Sequence, residues 1–369
     1  GLLDAAAAIV VAAGEQADVH AETFMAEQTY LQHAQPSTFG HYLVAFAHAA
    51  LRDIDRLEAE LDRLNQSPGG AGGVNGSALT GDREVVAGLL GFDGVIEHTR
   101  DAMWQTDGYV ALLGAVASLA VTVAKMAEDL EIWASNEFDY VSLAEGHTRT
   151  SVLMPQKRNP YALTMVRGEA GVLIGRLTGL LATTKSPSAR SDNLIFAYGE
   201  VPRALDLATR QVALMAGVTS GLTANPERMY QALESGYSQA ADLAEHLMVT
   251  LGVDYRTAYE VVGATVRRAA AEKVRGIDIT GEMLDAAAVE VTGSPLGVTG
   301  SDLSQALDPR SIVRTRNTRG GAEPSVVRTM AAEAVATGRA AAARVAERTA
   351  AFDAVEAALV AEAKRIVSG

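Results

Sequence analysis

From Gly108 to Ala124 the chain runs without a single charged residue (GYVALLGAVASLAVTVA), and apolar residues keep three- and four-residue spacing from Asp107 to about Trp133. A helix that is apolar on every side has to be covered on every side, so this stretch predicts the centre of a helical bundle. The uncharged run stops short of the roughly 18 residues that would read as a membrane span. The same helical spacing recurs in HYLVAFAHAALRDIDRLEAELDRLN (41–65) and MVRGEAGVLIGRLTGLLATTK (165–185), and no sustained period-2 alternation competes with it. Of the 369 residues 48% are hydrophobic but only 5% aromatic, so the core must be aliphatic and alanine-rich, which favours packed helices. The expected fold class is all-α, a long central helical bundle with a smaller helical C-terminal domain.

Charge and cysteine content exclude several functions. With 31 basic against 45 acidic residues the net charge is -14, and no Lys/Arg block suited to a phosphate backbone occurs, so nucleic acid is not an expected partner. No membrane partner is expected. The absence of cysteine removes disulfides, thiolate metal sites and Cys nucleophiles, and fits a reducing, cytoplasmic setting. The histidines have no metal-ligand spacing; His41 and His48 share a helix face with no carboxylate in phase and read as packing or surface residues. SPGGAGGVNGS (67–77) lacks the Lys-Ser/Thr ending of a phosphate-binding loop and reads as a tight turn between helices.

The breaks NQSPGGAGGVNGSALTGD (65–82) and KSPSARSDN (185–193), with a change of character near Gly236, divide the chain. Residues 1–235 form the bundle domain, 236–324 a smaller helical domain in which LDPRSIVRTRNTRGGAEP (307–324) is loop-like and basic, and 325–369 an alanine-rich helix that serves as a packing or oligomerisation arm. The chain opens on Gly1 with helical composition already under way, so the native N-terminus is expected upstream.

One polar run stands out between the helices: TRTSVLMPQKRNP (148–160). Pro155 and Pro160 favour extended or turn conformation, and a helix starting near Pro160 aims its positive end back at the loop. Lys157 adds a charge and Asn159 a neutral donor, a combination suited to a carboxylate. Ser151 on the same loop reads as a nucleophile or a base.

This run resembles the G-S-S-x-M-P-x-K-x-N-P signature of the aspartase/fumarase superfamily, and the Gln after Met-Pro is typical of argininosuccinate lyase. TYLQHAQPSTFGHYL (29–43) resembles that family's T-H-L-Q-x-A-Q-P-x-T-x-G-H segment. NQSPGGAGGVNGSALTGDRE, LLGFDGVIEHTRDA and ALDPRSIVRTRNTRGGAEP resemble further blocks in the family order. The resemblance implies release of fumarate from a succinyl compound. Ser151 would take the proton, and Lys157, Asn159 and Thr29 would bind the fumaryl carboxylates, with Gln32 as a further candidate. It implies a small dicarboxylate substrate, no metal and no organic cofactor. It also implies a homotetramer whose active sites are shared between subunits, and an N-terminal domain, carrying an H-T-G-R-S-R-N-D block, that lies upstream of residue 1.

The departures bear on the substrate. Tyr30 replaces the family His, and Thr164 replaces the Glu paired with it in argininosuccinate lyases, so both partners of one dyad are gone. RSDNLIFAY (190–198) stands where Y-N-K-D-L-Q-E-D-K holds the arginine part, which alters the pocket near Arg190, Ile195 and Tyr198. The usual S-T-G before the Ser is Thr148-Arg149-Thr150, which loses a Gly and gains Arg149, a candidate for an extra anionic group. The expected enzyme is a carbon-nitrogen lyase that releases fumarate from an N-substituted aspartate other than argininosuccinate. Argininosuccinate lyase itself and a catalytically silent structural homologue are the alternatives.

Overall fold

The computed structural model describes residues 1–369 apart from 80, 189–191, 299 and 369. The chain opens with α1 (Leu2–Val19), a hairpin of β1 (Phe24–Thr29) and β2 (Gln32–Thr38), and α2 (Phe39–Leu64). There follow β3 (Gln66–Ser67), α3 (Arg83–Leu89), β4 (Gly94–Val95), α4 (Thr99–Ala102) and the apolar α5 (Asp107–Trp133). Next come β5 (Val141–Ser142), β6 (Arg149–Thr150), β7 (Arg158–Asn159), α6 (Tyr161–Thr184), α7 (Leu194–Ser220) and β8 (Thr223–Ala224). The smaller helices are α8 (Pro226–Ser235), α9 (Ala240–Leu251), α10 (Tyr255–Glu272), α11 (Gly281–Thr292), α12 (Gly300–Leu307) and α13 (Pro309–Thr315), and α14 (Pro324–Ser368) closes the chain. The all-α expectation holds: among the described residues the strands form only two-stranded ladders, four in number.

Helices α1, α2, α5, α6, α7 and α14 share one aliphatic core that includes Ile9, Leu43, Leu119, Met126, Leu163 and Met215. Side-chain pairs fix their directions. Tyr42 donates to Asp129 (3.0 Å) and Asp53 accepts from Ser118 (2.7 Å) and Thr122 (2.8 Å), so α2 and α5 are antiparallel. Thr164 donates to Glu131 (3.0 Å) and Gln211 Nε2 to the Val166 carbonyl (2.8 Å), which sets α6 against α5 and α7 against α6. Gln16 Nε2 reaches the Ser220 carbonyl (3.0 Å), so the ends of α1, α5 and α7 and the starts of α2 and α6 gather at one end of the bundle. A second cluster of buried side chains, among them Leu243, Leu247, Val261, Leu284 and Leu303, lies within 243–307.

Three sequence expectations need correction, and a segment the sequence left unassigned, 24–38, is a β-hairpin: its alternation is broken by a bulge between Ala26 and Gln28, and its tip residues Tyr30 and Leu31 have φ of 54° and 59° without the usual Asn-Gly signal. The basic stretch 307–324 contains α13, started by Asp308, whose carboxylate caps the amides of Arg310 and Ser311 ahead of Pro309 at the first turn. The glycine-rich stretch is not a tight turn but a longer excursion. There β3 pairs in parallel with β4, and Arg83 donates to the carbonyls of Gly69 (2.9 Å) and Ile96 (2.9 Å). Finally, α5 is fully buried on one side only; Leu112, Gly114, Val121 and Ala124 remain half-buried within a single chain. By length and composition α5 is the one described helix apolar enough to cross a membrane, yet in this fold it packs against α2, α6 and α7.

The first half of α14 belongs to the bundle. Ala331, Ala334, Gly338 and Ala341 are buried against α1, and a Cβ on Gly338 would lie 2.9 Å from Val10, so only glycine permits that crossing. Arg339 pairs with Glu15 and Arg344 with Glu58 along the seam.

Candidate active site

The run 148–160 forms a hairpin that delivers the chain into α6. Arg149 pairs with Asn159 and Thr150 with Arg158, and the Ser151 amide extends the ladder to the Lys157 carbonyl (3.1 Å). Its tip is the turn Met154-Pro155-Gln156-Lys157, closed by the Lys157 amide on the Met154 carbonyl (3.0 Å), with proline in the second position where its fixed φ fits. Directly paired residues of an antiparallel ladder point to the same face, and alternate residues along a strand do so too. Arg149, Ser151, Lys157 and Asn159 therefore lie on one face, and Thr150 and Arg158 on the other.

Two backbone amides converge on the serine: Leu153 (3.3 Å) and Met154 (3.1 Å) donate to Ser151 Oγ. Donors of this kind favour negative charge on the oxygen they meet. Asn159 Nδ2 donates to the Arg149 carbonyl (2.9 Å), tying the two strands together. The Arg149 guanidinium sits 5.4 Å from the centre of the Tyr161 ring. Between Glu145 and Glu169 the sequence has no carboxylate, and Lys157 is exposed on the hairpin, so a cationic, donor-rich surface is presented by an otherwise acidic chain.

The other predicted site residues are divided between the two ends of the bundle. Thr29, Tyr30 and Gln32 sit at the exposed tip of the β1–β2 hairpin, at the same end as Ser151, and Tyr30 is 99% exposed. That hairpin is anchored by Trp133 Nε1, which donates to Gln28 Oε1 (3.2 Å). Among the described residues no hydrogen bond or ion pair joins its tip to 148–160. Thr164 is occupied by Glu131, which also pairs with Arg167, and it does not meet Tyr30. Tyr198 lies near the start of α7, with its ring 6.2 Å from that of Tyr109 and its phenol pushed up by burial. At about 1.5 Å per residue this places it roughly 25 Å along the bundle from the Ser151 hairpin. Ile195 and Phe196 beside it are exposed. Arg190 lies outside the described residues.

The packing reading of His41 missed a network. His41 Nδ1 lies 3.3 Å from Glu27 Oε1, which also accepts from Ser37 Oγ (3.0 Å), and His41 Nε2 is 3.1 Å from the Gly320 carbonyl. The hydrogen bond to Glu27 raises the imidazole above its ordinary range, against the opposing effect of burial. His41 and His48 line a cleft of about 830 Å3 with Arg319, Ser325, Thr329 and Glu333. The available signal was local: Thr38 caps α2 through the His41 amide, so His41 had to sit in the first turn, facing the returning hairpin. Among the described residues no cluster of three or more His, Asp or Glu side chains is arranged to hold a metal.

A family model described as lyase matches residues 1–175, and one described as argininosuccinate lyase C-terminal matches residues 237–314. Argininosuccinate lyase of Methanothrix thermoacetophila is 33% identical over 334 residues, covering 89% of this chain and 67% of the relative. The enzyme of that name from Mycobacterium sp. strain MCS is 37% identical over 322 residues, covering 87% and 67%. Among solved structures, an EDDS lyase variant with bound fumarate matches with a TM-score of 0.94 at 28% identity, covering 100% of this chain and 73% of that one.

Proposed function

The chain belongs to the argininosuccinate lyase family of the aspartase/fumarase superfamily, and from that premise we propose that it releases fumarate from an N-substituted aspartate other than argininosuccinate. The observation that carries this reading is the hairpin register that sets Ser151, Lys157 and Asn159 on one face.

The difficult step is removal of a proton from the carbon next to a carboxylate, because the resulting dianion is poorly stable in water. A base and preorganised positive charge must therefore stand together. Ser151 is the base, and the Leu153 and Met154 amides stabilise its oxygen as an alkoxide. Lys157 and Asn159 hold the carboxylates, with Thr29 and Gln32 completing the grip. As the carbon-nitrogen bond breaks, its electrons leave on the amine, which must gain a proton. Tyr30 stands where the family has its His, and its phenol is a candidate donor. The exposed apolar residues Ile195 and Phe196, with Tyr198, replace the polar cradle of the arginine part, which supports a different leaving amine.

We take the working unit to be a homotetramer, with Ser151 and Tyr198 meeting from different chains, because a single chain holds them at opposite ends of the bundle. The exposed face of α6 supports this reading: Gly168, Gly171, Gly175 and Gly179 line it, and a Cβ at any of them would meet nothing within 4 Å. We read 1–235, 236–324 and 325–369 as bundle, small domain and terminal helix; the separate buried cluster within 243–307 supports the small domain, while Ala331, Ala334 and Ala341 of the terminal helix share the bundle core, and Val313 and Ala322 pack with Phe24 and Leu233. We place the protein in the cytoplasm on the strength of its cysteine-free sequence.

The test is fumarate release, followed by ultraviolet absorbance, from the full-length protein and its Ser151→Ala variant with argininosuccinate and other N-substituted aspartates. Release from a non-arginine substrate that disappears in Ser151→Ala is expected. Rapid Ser151-dependent turnover of argininosuccinate, with growth of an arginine auxotroph carrying the gene, would establish the ordinary arginine-pathway enzyme instead. The similarity to argininosuccinate lyases favours that second reading. No turnover of any substrate would leave the silent homologue.

A further inference from the structure

Arg149 stands where the family writes the Thr of S-T-G, and the register sets it on the face that carries Ser151, Lys157 and Asn159. The side chain directly across the ladder from it is Asn159, a proposed carboxylate ligand, and the base Ser151 is the next residue of its own strand on that face. Arginines that serve this fold are commonly set against carboxylates, as Arg344 against Glu58 or Arg348 against Asp62. Among the described residues Arg149 has no such partner. Its guanidinium rests 5.4 Å from the Tyr161 ring centre, a contact that orients the group without neutralising it. The Asn159 amide on the Arg149 carbonyl (2.9 Å) fixes the backbone from which the side chain projects.

We infer that Arg149 is a specificity-determining residue that binds a carboxylate on the leaving amine, so that the substrate is an N-substituted aspartate whose amine part carries a carboxylate without the guanidinium that accompanies it in arginine. This rests on the elimination reading above. Lys157 and Asn159 already suffice in kind for the fumaryl group, so the extra cation answers to an extra anion elsewhere on the substrate. The guanidinium offers a planar pair of donors suited to a carboxylate, and its unpaired charge disfavours a cationic leaving group such as a guanidine. Tyr161 limits the swing of the side chain, and Arg158, on the opposite face, cannot substitute for it.

The test runs the reaction toward addition. Fumarate is supplied to the full-length protein with glycine or β-alanine, and in parallel with their neutral amides, and kcat/KM for the amine is compared between wild type and Arg149→Gln. Differences in amine reactivity cancel in the ratio of ratios. The expected result is a preference for the acids in wild type that falls by roughly tenfold to a hundredfold in Arg149→Gln. Arg149→Lys should retain part of it. An unchanged acid-to-amide ratio, or equal losses for acids and amides, would overturn the inference by making Arg149 a structural residue of the hairpin. So would addition confined to neutral or guanidine-bearing amines, although Ser151-dependent fumarate chemistry would then still stand. If no amine adds and no substrate releases fumarate through Ser151, the elimination reading fails first and the role of Arg149 with it.

Discussion

The exposed side of α6 allows a test in which the sign of the effect decides. Gly168, Gly171, Gly175 and Gly179 recur at three- and four-residue spacing on one helical face, and Val172 and Leu181 beside them are about half exposed. Each glycine in a helix interior costs about 0.8–1 kcal/mol relative to alanine, so the four together cost the helix about 3–4 kcal/mol. Within one chain nothing repays that cost, since a Cβ at any of the four would stand in open space. Gly175→Leu should therefore stabilise an isolated chain by nearly 1 kcal/mol. If a second copy packs its helix onto this face, the same leucine meets closely approached backbone. Overpacking then costs about 1–3 kcal/mol at each copy, and symmetry repeats the cost around the assembly. The assays are light scattering after size-exclusion chromatography and a thermal melt of the same samples. The expected outcome for Gly175→Leu is a smaller species, a lower Tm and loss of fumarate release. A variant that keeps the wild-type mass while its Tm rises would refute the packing argument, and the case for shared active sites would lose its main structural support.

Asp53 is buried and accepts from Ser118 and Thr122 while pairing with Arg56, so Asp53→Ala should strand these donors and cost about 3 kcal/mol, read as a lower urea midpoint; Asp53→Asn should cost less. A Cβ on Gly40 would lie 2.4 Å from the Ala17 carbonyl oxygen, so Gly40→Ala should push α1 from α2 and lower stability by about 1–3 kcal/mol in the same denaturation assay. His41 is held above its ordinary value of 6.5 chiefly by Glu27, with the Gly320 carbonyl adding to the effect and burial opposing it. A raised folded-state value means the contribution is complete below the unfolded value and is lost as pH rises through the folded one. The Tm advantage of wild type over His41→Gln should accordingly shrink as pH rises above the ordinary histidine value of about 6.5, and a constant difference would exclude the ionic link.

The helices were legible in the sequence because helical periodicity is a local property: whether 107–133 or 165–185 can bury a face depends on residues three and four apart. The short helix that Asp308 starts was missed, because its cap is local but its seven residues are too few to show a period. The signature run was legible for a similar reason, since Ser151, Lys157 and Asn159 are close in sequence. What could not be read there was the face each of them occupies. That depends on strand pairing across the hairpin, and a shift of one residue would have sent Ser151 and Lys157 to opposite sides. The turn at Tyr30 and Leu31 was hidden too, because two side-chain-bearing residues hold positive φ where only the surrounding packing can impose it. The separation of Tyr198 from Ser151 is likewise tertiary: helix direction within a bundle is set by which apolar faces meet. Apolar pattern and hydrogen-bonding chemistry are carried residue by residue, whereas register, handedness of approach and end-to-end distance arise only when segments far apart in the chain pack against one another.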